Sequence, residues 1–245
     1  MVIILIDIHN HLIWGVDDGA KDIEETISMI KTAYAQGITR IIATPHFYID
    51  TYEPNKDDLY EKKALLEQRL EELNLPVSIK LGEEIYLEPA SFEKIESKTA
   101  LSLDNQKYIL VEFSFNDIPL FIFELLVKLV DIGYVPIIAH PERYKSVQTD
   151  FSLLEKFVDL GCILQLNGGS ILGNHGRSAK KAAKYMVKHR LFHLIGSDAH
   201  NDANRPFVTA KAFKKIKDQD FKYFLETNAE AIWNNQRINS YKYFQ

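Results

Sequence analysis

Apolar residues fall in short, β-branched runs at 2–8, 38–43, 77–81, 108–113, 135–139, 163–166 and 193–196. Apolarity within each run is nearly continuous, as in parallel strands buried on both faces. Between the runs the spacing becomes helical. Ile23, Ile27, Ile30 and Tyr34 share one face of a segment at 23–36, and Leu59, Leu66, Leu70 and Leu73 form the stripe of a charged segment at 56–73. The pattern predicts further helices at 88–95, 119–132, 151–160, 178–189, 203–216 and 221–244. Gly37, Gly133 and Gly161 each follow a helical stretch and precede a strand, where a left-handed C-terminal turn favours glycine. Seven strands alternating with helices imply right-handed crossovers, which an open doubly wound sheet and a closed barrel both satisfy. With no linker, repeat or compositional break, one α/β domain over 1–245 is predicted.

Composition narrows the function classes. A chain of 245 residues, 46% hydrophobic and 26% charged, buries a sizeable core without covalent staples. Lys and Arg total 29 against 34 Asp and Glu, a net charge of −5, which disfavours a broad basic face for nucleic acid. One cysteine forms no internal disulfide. The apolar start at 1–8 is too short to span a membrane and lacks the basic flank and cleavage site of a signal peptide. The expectation is a cytoplasmic protein that is not membrane-inserted.

The polar residues change the picture most. Asp7, His9 and His11 close the first run, with Asp17 and Asp18 after them. His46 follows the second run; Glu83 and Glu84 follow the third; Glu112 ends the fourth. His140, Glu142 and Arg143 follow the fifth, Asn167 the sixth, and Asp198, His200 and Arg205 the seventh. Strand C-termini converge on one rim in a closed (β/α) barrel and spread along a line in an open sheet, so this inventory favours the barrel. His9 and His11 lie two apart on an extended chain and point the same way. Imidazole and carboxylate without thiolate suit Mn, Fe, Zn or Mg. An H-x-H pair alone is a weak signal; four histidine-bearing strand ends with matching carboxylates are a strong one. The remaining histidines weigh the other way: His193 begins its run and sits at the wrong end, His189 ends a helix, and His175 lies in a Gly-rich loop, GGSILGNHGR, from which it could approach the site but is not assigned to it.

The segments DIHNHLIWGVDDGAKDIEE, IIATPHF, GEEIYL, YILVEF, PIIAHPERY and GSDAHN followed by RPF resemble the polymerase and histidinol phosphatase (PHP) superfamily. Within it they resemble the bacterial protein-tyrosine phosphatases of capsule and exopolysaccharide loci, the CpsB/YwqE type. The C-terminal TNAEAIWNNQ also fits, with Ala229-Glu230 where Pro-Arg is the expected pair.

The resemblance implies a distorted (β/α)7 barrel with three divalent ions, manganese first and Fe, Mg or Zn as alternatives. The first ion would take His9, His11, Glu84 and Asp198; the second Glu84, Glu112 and His140; the third Asp18, His46 and His200. Arg143 and Arg205 would clamp the phosphate, and Asp7 would orient a ligand histidine from behind. The implied substrate is a phosphotyrosine protein, a tyrosine autokinase with a Tyr-rich tail, and the implied process is capsular or extracellular polysaccharide synthesis. The rival readings are a phosphoesterase for a small metabolite such as histidinol phosphate, a catalytically silent kinase-binding module, and a proofreading exonuclease. A cysteine-dependent phosphatase is excluded, because Gly168 stands where an arginine is required six positions after Cys162. The oligomeric state is left open.

Overall fold

The computed structural model describes residues 5–238. Nine strands occur among them: β1 (Leu5–Asp7), β2 (Ile38–Ala43), β3 (His46–Phe47), β4 (Ser78–Leu81), β5 (Glu84–Tyr86), β6 (Tyr108–Glu112), β7 (Val135–Ala139), β8 (Ile163–Asn167) and β9 (Leu194–Gly196). They pair in parallel as β1-β2-β4 and β3-β5-β6-β7-β8-β9. The seven predicted runs all contain a strand; residues 2–4 of the first lie outside the described range.

The two additional strands are continuations. β3 follows β2 across Thr44-Pro45, and β5 follows β4 across Gly82-Glu83. Proline cannot donate to the ladder, so regular pairing breaks there. Gly82 N still donates to Ala43 O (2.8 Å) and Glu84 N to Pro45 O (3.0 Å), which carries the wall over the break. The wall closes just beyond the strand ends, where Asn10 bridges Ala199. His11 N donates to Ala199 O and Asp198 N to His9 O, both at 2.8 Å. The structure is thus a distorted seven-position barrel, closed at its C-terminal rim.

Ile6, Ile8, Ile42, Tyr108, Leu110, Ile137, Ala139, Ile163 and Leu194 form one buried cluster from six of the strands and so fill the barrel. The alternate residues Ile109, Val111, Ile138, Leu164 and Leu166 belong to the cluster under the helices. In β8 this alternation puts Ile163, Gln165 and Asn167 on the inner face, apolar below and polar at the rim.

The helices are α1 (Ile23–Ala35), α2 (Lys56–Glu72), α3 (Pro89–Glu96), α4 (Leu120–Asp131), α5 (Lys145–Thr149), α6 (Ser152–Asp159), α7 (Gly168–Leu172), α8 (Gly176–His189), α9 (Thr209–Phe213) and α10 (Gln219–Trp233). One predicted helix is corrected: 203–216 shrinks to α9. Asn201 Oδ1 accepts from the backbone N–H of Ala203, Asn204 and Arg205, an Asx turn, and Pro206 follows. The glycine-rich stretch expected as loop forms α7 and the start of α8. α5 lacked a signal because five residues show no helical period. The predicted C-terminal helix ends at Trp233, and residues 239–244 of that prediction lie outside the described range. Among the described residues no helix is long and apolar enough to cross a membrane.

Candidate metal centre

The closed rim gathers all nine predicted metal-type residues. Ligand-capable atoms of His9, His11, Glu84 and Asp198 lie within 4.8 Å of one another; so do those of His11, Asp18, His46 and His200, and those of His46, Glu84 and Glu112. Glu84 is the hub. Its Oε2 lies 3.1 Å from His9 Nε2 and 3.3 Å from both His11 Nε2 and His46 Nδ1, while Oε1 lies 2.8 Å from His140 Nε2. His140 Nε2 is 3.7 Å from Glu112, and His46 Nδ1 is 3.4 Å from it, so His46 faces both the Glu84 side and the Asp18 side of the cluster.

Neighbours fix the direction of the imidazoles. His9 Nδ1 donates to Gln165 Oε1 (2.8 Å), His11 Nδ1 to Asp17 Oδ2 (2.7 Å) and His200 Nδ1 to the Asp198 carbonyl (3.0 Å). Their Nε2 lone pairs therefore face inward. The Nε2 atoms of His9, His11 and His200 and Nδ1 of His46 are buried with no hydrogen-bond partner. Unpaired buried nitrogens beside carboxylate oxygens, with the opposite nitrogens held from behind, fit a cation shared between them.

The electrostatics agree. Burial pushes His140 and His200 down to about 4, so both imidazoles are neutral and available as donors near neutral pH. Burial opposes ionisation of Glu84, but its contacts with the imidazoles of His9, His140 and His11 outweigh it and hold the carboxyl well below its usual range. Glu112 is pushed well above, by burial first and then by Glu84 and Asp198. Buried carboxylates this close repel one another, and a divalent cation removes that cost.

Backbone strain sits at the same place. His140 (φ 35°) and Asp198 (φ 53°) are left-handed, at a cost of roughly 1–3 kcal/mol each. In β9, a Cβ on Gly196 would fall 2.8 Å from His9 Cβ, so only glycine lets this strand approach β1 closely enough.

Arg143 and Arg205 reach the mouth. Arg143 Nη1 donates to Asp198 Oδ2 and Arg205 Nη2 to Asp198 Oδ1, both at 2.7 Å, and Asn167 Nδ2 adds a third bond at 2.9 Å. Asp7 is buried but does not touch an imidazole. It accepts from the backbone N–H groups of His9 and Ser197, from Asn10 Nδ2, and from the hydroxyls of Ser197 and Thr209. It joins β1 to β9 and orients His9 through the main chain. Glu83 turns away to accept from Leu101 N (2.6 Å). His193 accepts from Leu164 N (3.1 Å) at the opposite end of the barrel, as its position at a strand start implies.

Sequence reasoning assigned no role to Asp17 or Gln165. Asp17 follows the H-x-H pair with no motif of its own. Gln165 was discoverable only by alternation, as a polar residue on the inner face of an apolar strand. Gln165→Leu is expected to lower metal affinity and kcat/KM by about 10- to 100-fold, measured by metal titration and steady-state kinetics.

The family described as "Capsular polysaccharide synthesis, CpsB/CapC" matches residues 5–235. The chain belongs to the CpsB/CapC family. It is 35% identical over 237 residues to the tyrosine-protein phosphatase YwqE of Bacillus subtilis, covering 96% of this chain and 93% of that one. It is 34% identical over 238 residues to the putative tyrosine-protein phosphatase CapC of Staphylococcus aureus, with the same coverage. A crystal structure from work on YwqE of B. subtilis and CpsB of Streptococcus pneumoniae, described as unique metal-dependent tyrosine phosphatases, superposes with a TM-score of 0.90 at 36% identity, covering 96% of each chain. The CpsB/CapC fold therefore extends over nearly the whole chain.

Proposed function

We propose that this CpsB/CapC protein is a metal-dependent protein-tyrosine phosphatase. The observation that carries this reading is the ring of unpaired imidazole nitrogens and carboxylates at the barrel rim, with two guanidinium groups at its mouth. We read three divalent sites from the overlapping groups, with manganese first and Fe, Mg or Zn as alternatives. Site one would use His9, His11, Glu84 and Asp198 and site three Asp18, His46 and His200, as two of the groups bring them together; site two would use Glu84, Glu112 and His140, whose Nε2 lies 2.8 Å from Glu84 and 3.7 Å from Glu112. Bound divalent ions supply a water of lowered pKa and positive charge for phosphate oxygens.

The chain's own residues do the rest. Arg143 and Arg205 hold the non-bridging phosphate oxygens, with the forked geometry that favours phosphate. Asn167 keeps Asp198 in place when the arginines turn to substrate. Four carboxylates against three divalent ions leave the site positive and attractive to a phosphate dianion. A phenol titrates near ~10, so tyrosine leaves without a dedicated acid more readily than an alkyl alcohol. Cys162 has no part: it is buried one residue before β8 begins, and burial pushes its thiol up to about 12.

The family's place in capsular polysaccharide synthesis supports a tyrosine autokinase tail as substrate and polysaccharide production as the process regulated. A cytoplasmic location follows, because a tail phosphorylated from ATP is met there. The deciding assay supplies Mn and compares a phosphotyrosine peptide with histidinol phosphate. Higher kcat/KM on the peptide is expected; preference for histidinol phosphate would overturn the substrate class. A chelator is expected to abolish activity and a thiol-alkylating reagent to leave it nearly intact.

A further inference from the structure

Next to the candidate metal centre lies a groove of about 260 Å³ lined by Phe115, Arg143, Gln148, His175 and Ala179. Arg143 belongs to both places. Its Nη1 donates to Asp198 Oδ2, and its guanidinium carbon lies 4.6 Å from the centroid of the Phe115 ring. We propose that this groove, between Phe115 and His175, is the subsite that seats the aromatic ring of the phosphorylated residue. The proposal rests on the phosphatase reading and adds the side chains that read the ring.

The walls are held in place. Phe115 is 38% exposed, and its ring is held 5.4 Å from the His140 ring and 5.7 Å from that of Tyr144. On the other wall, His175 Nδ1 lies 3.0 Å from Ser170 Oγ, which donates to Oε1 of the buried Glu142 at 2.6 Å. Gln148 Nε2 donates to the carbonyls of Glu142 (3.0 Å) and Arg143 (3.3 Å), which fixes a third side. The position of the His175 ring depends on a missing side chain: a Cβ on Gly169 would fall 2.9 Å from His175 Cε1. The GGSILGNHGR stretch thus carries a second small-residue device, with Gly169 opening space for His175.

The occupant follows from connectivity and size. The ring of phosphotyrosine begins two bonds from phosphorus. A phosphate held by Arg143 places that ring against the groove Arg143 also lines. A cavity of about 150 Å³ holds benzene, so this groove accommodates a tyrosyl ring. Phe115 and His175 line the groove with aromatic rings and Arg143 with a cation, the partners that favour an aryl over an alkyl group.

The test uses Mn-loaded protein and calorimetric titration with benzylphosphonate, whose ring also begins two bonds from phosphorus, methylphosphonate and inorganic phosphate. Wild type is expected to bind benzylphosphonate about tenfold more tightly than methylphosphonate. Phe115→Ala and His175→Ala, on independent walls, are each expected to cut that advantage to about threefold or less, with inorganic phosphate affinity changed less than about threefold. Equal affinity of wild type for the two phosphonates, or an undiminished benzyl advantage in both variants, would overturn the aryl subsite. Hydrolysis of a phosphotyrosine peptide, measured in parallel, separates that outcome from failure of the phosphatase reading.

Discussion

Glu84→Gln is expected to strip the protein of most of its divalent metal and to lower kcat/KM by about three orders of magnitude, roughly 4 kcal/mol of transition-state stabilisation. The two oxygens of Glu84 face four imidazoles, those of His9, His11, His46 and His140. It belongs to two of the three donor groups. Glutamine preserves volume but removes the charge and presents an amide where an anion is required. The strand should survive, because Glu84 is fixed in β5 through main-chain pairing with His46 and Leu110. Elemental analysis, circular dichroism and turnover on one preparation decide the matter. Normal metal content with full activity would sink the multinuclear reading.

Arg143→Ala and Arg205→Ala are each expected to slow turnover by about 30- to 1000-fold, the effect of losing a charge-assisted contact worth roughly 2–4 kcal/mol in a water-poor site. Both guanidinium groups lie on Asp198 in this structure, so two roles must be separated. If they only restrain Asp198, metal content falls along with the rate. If they clamp phosphate, metal content holds, because Asn167 still restrains Asp198, while inhibition by inorganic phosphate weakens. The second result is expected. Lysine at either position should restore only part of the activity, because an ammonium cannot make two parallel hydrogen bonds. Near-normal activity in both alanine variants would refute the clamp and weaken the phosphatase assignment.

The amino-acid sequence by itself determined the strand positions and the chemistry at their ends. Val135–Ala139 is a strand because a β-branched apolar run suits burial on both faces, and His140 follows it at the rim for the same local reason. His9 and His11 share a direction through extended-chain geometry alone. These properties depend on residues a few positions apart, and periodicity records them.

What needed the tertiary structure was every pairing between distant segments. Gln165 holds His9 across 156 positions because barrel closure sets β8 beside β9 and β9 against β1. Asp7 braces main chain rather than an imidazole because Ser197 and Thr209 arrive beside it, 190 and 202 positions away. The breaks at Thr44-Pro45 and Gly82-Glu83 interrupt a ladder whose partner strand no local pattern names. Arg143 and Arg205 meet on one carboxylate, and Phe115 and His175 on one groove, only after the rim closes. Local periodicity encodes which residues are buried and which way they point; closure of the chain upon itself decides what they meet.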